Sequence, residues 1–83
     1  MNDDLDRLEQ ARRQLEDARA VHAGKRRTLE MVRGRAEEGD LDEEQMAKLA
    51  EAEGDLDREV ALHDVRTRKL EVEAMRLRHR SRA

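Results

Sequence analysis

Any chemistry in this 83-residue chain must come from histidines, carboxylates, lysines, arginines or a few hydroxyls, since cysteine and tyrosine are absent. The zero cysteine count removes disulfides, thiolate metal sites and thiol nucleophiles together. His22 and His63 are the first candidates. A metal or catalytic role would need ligand neighbours at helical spacing, such as a Glu-x-x-His element on each helix. Glu59 and His63 stand four apart, and Asp64 belongs to another helix face, so the expectation is a structural histidine pair, with no metal and no cofactor. Ser81, the only serine, sits in the tail and makes a poor nucleophile. An enzyme is therefore not expected. The basic run Arg76-Leu-Arg-His-Arg-Ser-Arg82 has the composition of a phosphate-backbone binder. Asp3, Asp4, Asp6 and Glu9 would neutralise it in a hairpin, and no aromatic residue is present to stack on a base. Nucleic acid is accordingly the weaker reading of that run.

These residues need elements to carry them, and composition restricts what the elements can be. Charged residues make up 47% of the chain, and Phe, Trp, Tyr and Pro are absent, so only Leu, Val, Met and Ala can form an interior. Ala, Leu, Glu, Arg, Lys, Met and Gln dominate, and these are the strongest helix formers. Apolar residues recur at heptad spacing rather than alternating as in a strand. One seam of the first segment runs through Met1, Leu8, Leu15, His22, Leu29 and Ala36, and its companion runs through Asp4, Ala11, Ala18, Lys25 and Val32. In the second segment Met46, Glu53, Val60, Thr67 and Ala74 alternate with Leu49, Leu56, His63, Leu70 and Leu77. These are the a and d positions of a coiled coil, interrupted by polar residues.

Gly39 suits the left-handed residue that ends a helix, and Asp40 followed by Glu43 reads as a capping signal. The fold class is therefore all-α, a single antiparallel two-helix coiled-coil hairpin. A helix is expected over about 3–38, a turn at 39–40, a second helix over about 41–79 and a basic tail at 80–83. The preferred register sets Lys25 opposite Glu53 and Leu29 opposite Leu49, which pairs the polar interruptions. It also lays the basic row Arg12, Arg19, Arg26, Arg33 beside the acidic row Asp57, Asp64, Glu71. A second register sets His22 opposite His63 and Leu15 opposite Leu70, but needs a longer turn. Because Glu-Gly-Asp-Leu-Asp occurs at both 38–42 and 53–57, Gly54 offers an alternative second turn and a three-helix bundle.

Two surface features remain after the seams are filled. Leu62, Val65, Val72 and Met75, with Ala61, form an apolar stripe on the outer face of the second helix, with Ala20, Ala23 and Met31 as a weaker counterpart on the first. An exposed stripe of this kind marks a partner surface, and two hairpins joining as a four-helix bundle are favoured over docking on another protein. The second feature is the acidic tip Asp40, Asp42, Glu43 and Glu44. Its run Gly39-Asp40-Leu41-Asp42-Glu43-Glu44 resembles the Gly-Asp-Leu-x-Glu-Asn tip of the N-terminal hairpin of Gre-type transcript-cleavage factors. That resemblance implies a hairpin entering the secondary channel of RNA polymerase, with Asp40 and Glu43 as the tip acids that help hold magnesium. The chain departs from the pattern at Glu44, where the family has Asn, and at Gln45-Met46-Ala47, where it has Ala-Glu-Tyr. No second globular domain is expected within these 83 residues.

Net charge is −3, distributed in blocks. Residues 37–59 hold eleven acids against Lys48 and Arg58, whereas residues 60–83 hold seven bases against three acids. With no apolar run of about 18 residues and an acidic start, a cytoplasmic protein without a membrane partner is expected. The function that follows is non-catalytic: a protein-protein interaction module or small assembly or secretion chaperone, acting as a homodimer or on a larger assembly.

Overall fold

A computed structural model describes residues 3–82, with side chains described as far as Arg80. The seam position at Met1 and the side chains of 81–83 lie outside the described residues. Two helices account for 94% of what is described: α1 spans Asp3–Glu37 and α2 spans Glu43–Arg82. Strong helix formers and the absence of proline allow both to run unbroken. Acids occupy both first turns, Asp3, Asp4 and Asp6 in α1 and Glu43 and Glu44 in α2, where they complement the positive end of the helix dipole. The helices fold back on each other into a rod of 58 × 15 × 14 Å. α2 passes straight through Gly54, which rules out a turn there and with it the three-helix bundle.

The turn is built from two interlocking caps. Gly39 has φ of 79°, the left-handed region that glycine occupies without steric cost. Its amide donates to Ala36 O at 3.0 Å and the Asp40 amide donates to Arg35 O at 3.0 Å, which together form a Schellman motif. Asp40 thus belongs to the end of α1. The start of α2 is capped by the next acid: the Gln45 amide donates to Asp42 Oδ1 at 2.7 Å, and the Asp42 amide donates to Gln45 Oε1 at 3.0 Å. This reciprocal capping box replaces the expected Asp40 and Glu43 cap and moves the helix start from Leu41 to Glu43.

The longer turn changes the register. His22 and His63 face each other with ring centroids 5.5 Å apart, and the His63 ring lies against Leu15. This is the arrangement that the sequence reading ranked second for want of turn length. Lys25 does not oppose Glu53. Instead Lys25 Nζ donates to Glu59 at 3.0 Å, and Arg33 Nε donates to Glu53 at 3.1 Å. The basic and acidic rows also fail to pair directly: among the described residues, Arg12 reaches Glu16 on its own helix at 3.5 Å, and neither Arg19 nor Arg26 reaches a carboxylate at ion-pair distance. A carboxylate one turn away on the same helix is closer than one across the seam, so local pairing wins.

Burial follows the heptad. Leu8, Ala11, Leu15, Ala18, His22, Leu29, Val32 and Ala36 are the shielded residues of the α1 seam, while Lys25 swings out. In α2 the shielded seam runs from Leu49 through Glu53, Leu56, Val60, His63, Thr67, Leu70 and Ala74 to Leu77. Met46, expected at the head of this seam, is 45% exposed. Among the described residues only Leu49 and Leu56 are buried, at 4% and 5% exposure. Burying each such leucine contributes roughly 1.5–3 kcal/mol, so the hairpin is held chiefly by the layers nearest the turn.

Candidate interaction surface

The polar centre of the seam is a four-residue cluster. His22 and His63 meet edge to face, with an angle of 85° between their rings. The His63 Nε2 lies 2.7 Å from Leu15 O, a hydrogen bond in which the ring nitrogen donates to the carbonyl. His22 Nε2 stands 3.6 Å from Glu59 Oε2, and the same carboxylate receives Lys25. Glu59 therefore ties the first helix to the second through two side chains. The sequence reading missed that role because Glu59 flanks the seam rather than filling it. Its heptad position beside His63 and the nearby cation Lys25 were the available signals.

His22, Glu59 and His63 line an open groove of about 510 Å³ together with Leu15, Leu62 and Leu70. The His63 nitrogen that faces α1 is engaged by a backbone carbonyl. Among the described residues no group of three or more histidine, aspartate or glutamate side chains is placed to hold a metal ion. The arrangement joins two helices at a fixed register. Closer to the turn, the hydrogen bond from Arg33 to Glu53 and the charge of Glu53 raise the guanidinium's pKa above its ordinary value.

The tip acids separate into distinct environments. Asp42 is consumed by its cap, and Glu44 pairs with Lys48 at 3.5 Å one turn on. Asp40 and Glu43 are exposed, with no ion-pair partner among the described residues. The basic end behaves differently from the expected neutralisation. Asp4 pairs with Arg7 at 3.0 Å and Glu9 with Arg13 at 3.7 Å, both on α1. Arg76, Arg78 and Arg80 on α2 reach no carboxylate at ion-pair distance among the described residues, although Asp4, Arg76 and Arg80 line one shallow depression. The α1 acids are used locally.

Leu62, Val65, Val72 and Met75 fall on one outward face of α2 and remain 46–62% exposed. Val21 and Met31 on α1 are also open, at 56% and 74%. Among the described residues eight large apolar side chains are exposed, against two buried leucines. No helix among the described residues is long and apolar enough to cross a membrane. The fold and this surface define a class, the antiparallel helical hairpin with an unpartnered outer face. No known family, curated protein or solved structure matches the chain.

Proposed function

We propose that this protein is a non-catalytic coiled-coil interaction module, of the assembly-factor or small-chaperone kind, that works by docking the outer face of α2 on protein. The observation that carries the reading is the open stripe Leu62, Val65, Val72 and Met75 on a helix whose inner face is already occupied. Covering it recovers roughly 25 cal/mol per Å² of apolar surface. The polar cluster at His22, Glu59 and His63 supports the same view, since its groups are engaged in joining helices.

The test is Val65→Glu combined with Val72→Glu. Sedimentation of parent and variant across a wide concentration range, beside capture of partners from native lysate, reads out both self-association and docking. The variant is expected to lose the parent's association while keeping its helicity. A parent that neither self-associates nor holds any partner the variant loses would overturn the reading.

A second reading rests on the tip. The side chains of Asp40 and Glu43 are exposed and used by neither cap, as the Gre-like resemblance requires of acids that act on a polymerase channel. Retention on RNA polymerase at low salt is its test, and absence of binding there removes it.

A further inference from the structure

α2 changes sign along its length, and the change falls between Glu59 and Arg66, where Leu62 and Val65 begin the apolar stripe. From Glu43 to Glu59 the helix carries seven acids against Lys48 and Arg58, and from Arg66 to Arg80 it carries six bases against Glu71 and Glu73. Local pairs take up part of the first block, Glu44 with Lys48 and Asp55 with Arg58, and Glu53 and Glu59 turn inward to Arg33 and Lys25, so Glu43, Glu51 and Asp57 are the acids of this block left without an ion-pair partner among the described residues. None of the six bases in the second reaches a carboxylate at ion-pair distance among the described residues. α1 offsets α2 only in part. Residues 21–64 hold thirteen acids and seven bases, a net of −6, while 3–20 together with 65–82 hold eight acids and eleven bases, a net of +3. The hairpin is thus acidic towards its tip and basic towards its open end.

We propose that the outer face of α2 receives a second copy of this chain, lying antiparallel about a two-fold axis that crosses near Leu62 and Val65. The proposal rests on the docking reading above and names its partner. A two-fold contact must be self-complementary, because each patch meets its own copy reversed. A helix acidic on one side of Leu62 and Val65 and basic on the other meets that condition only when antiparallel. Parallel pairing sets acid on acid and base on base, which costs several kcal/mol across an interface. The midpoint of α2, spanning Glu43–Arg82, also falls between residues 62 and 63, so the axis that matches the charges gives full overlap of the helices.

Stripe-on-stripe pairing, with Leu62 against Met75 and Val65 against Val72, is the competing register. It moves the axis to Arg68 and Lys69, gathers four cations at the centre of the contact and leaves both tip halves uncovered. Charge therefore selects the first register, and two hairpins so joined form a four-helix assembly.

The chain has no cysteine, so single replacements report proximity to the axis cleanly. Under mild oxidation, Leu62→Cys or Val65→Cys is expected to link to its own copy, and Lys69→Cys and Val72→Cys far less. Charge exchange supplies the second arm. Glu51→Arg with Asp55→Arg, and separately Lys69→Glu with Arg76→Glu, should each weaken self-association by about tenfold or more. An equimolar mixture of the two variants should recover near-parental association, with helicity unchanged throughout. Preferential linking at 69, or no recovery on mixing, overturns the proposed register. A parent that stays monomeric at every concentration overturns the second copy as occupant. If Val65→Glu with Val72→Glu still loses a different protein partner in that case, the docking reading stands and only this inference falls.

Discussion

The half of the hairpin next to the turn and the half at its open end are built from the same heptad but held differently. Near the turn, Leu49 and Leu56 are enclosed, Arg33 and Lys25 reach across to Glu53 and Glu59, and each helix end is capped by its own hydrogen bonds. Towards the open end, Leu8, Leu15, Leu70 and Leu77 are only half-buried, alanines fill the layer of Ala11 and Ala74, and the ion pairs run along α1 rather than between helices. Stability is consequently graded along the rod, with opening easiest where buried contacts are fewest. The weaker half is also the one that carries Val65, Val72 and Met75 on its outside. A partner on that face would shield the half that its own seam leaves open.

The largest effect that could break this comparison is a core truncation on either side of it. Leu56→Ala removes an enclosed side chain and is expected to cost about 2–4 kcal/mol in chemical denaturation, in the range of buried leucine deletions. Leu8→Ala removes a half-buried one and should cost clearly less. Equal losses at the two positions would mean that the seam is uniformly packed. Hydrogen exchange on the same proteins should show faster opening at the α1 start than around Leu29 and Leu56.

Gly39→Ala tests the turn itself. Gly39 lies at φ of 79° with open space around it, so the penalty comes from backbone conformation and not from a clash. An alanine there is expected to lower stability by about 1–2 kcal/mol, the cost of a left-handed L-residue. Because the turn brings the tightest layers together, the loss should appear as a lower global midpoint and not as local fraying. A neutral result would show that the Schellman bonds at Ala36 and Arg35 survive a change of φ.

Much of this architecture was legible in the residues. Heptad spacing placed Leu49, Leu56, His22 and His63 in the seam, Gly39 placed the helix end, and the residues left over formed the outer stripe. The register differs at Lys25 and Glu53, because a charge at a seam position does not require an opposite charge directly across from it. Long side chains escape that requirement by leaning out along the helix surface, as Lys25 does to reach Glu59. The cap was misjudged for a related reason. Asp40 and Asp42 both precede an acid or amide by three residues, and only the backbone decides between them, since the amide of Asp40 is already committed to Arg35. A two-residue difference in turn length then carried through to every layer.

The smallest effects come from these two aspartates, and they separate the cap from any charge-based role of the tip. The Asp42 carboxylate accepts the Gln45 amide, so Asp42→Ala should cost about 1 kcal/mol while Asp42→Asn stays nearly neutral, since asparagine caps about as well. Asp40 contributes its backbone amide to the turn, and alanine retains that amide, so Asp40→Ala should leave the melting temperature almost unchanged. Equal costs at 40 and 42 would show that the cap is shared and that the boundary between the two helix ends is misplaced. Asp40→Asn with Glu43→Gln completes the comparison, because it removes two exposed charges that neither cap uses. Stability should not move. If the tip acts on a basic partner such as a polymerase channel, binding should be lost in that variant alone, whereas docking through α2 would leave its association at the parental level.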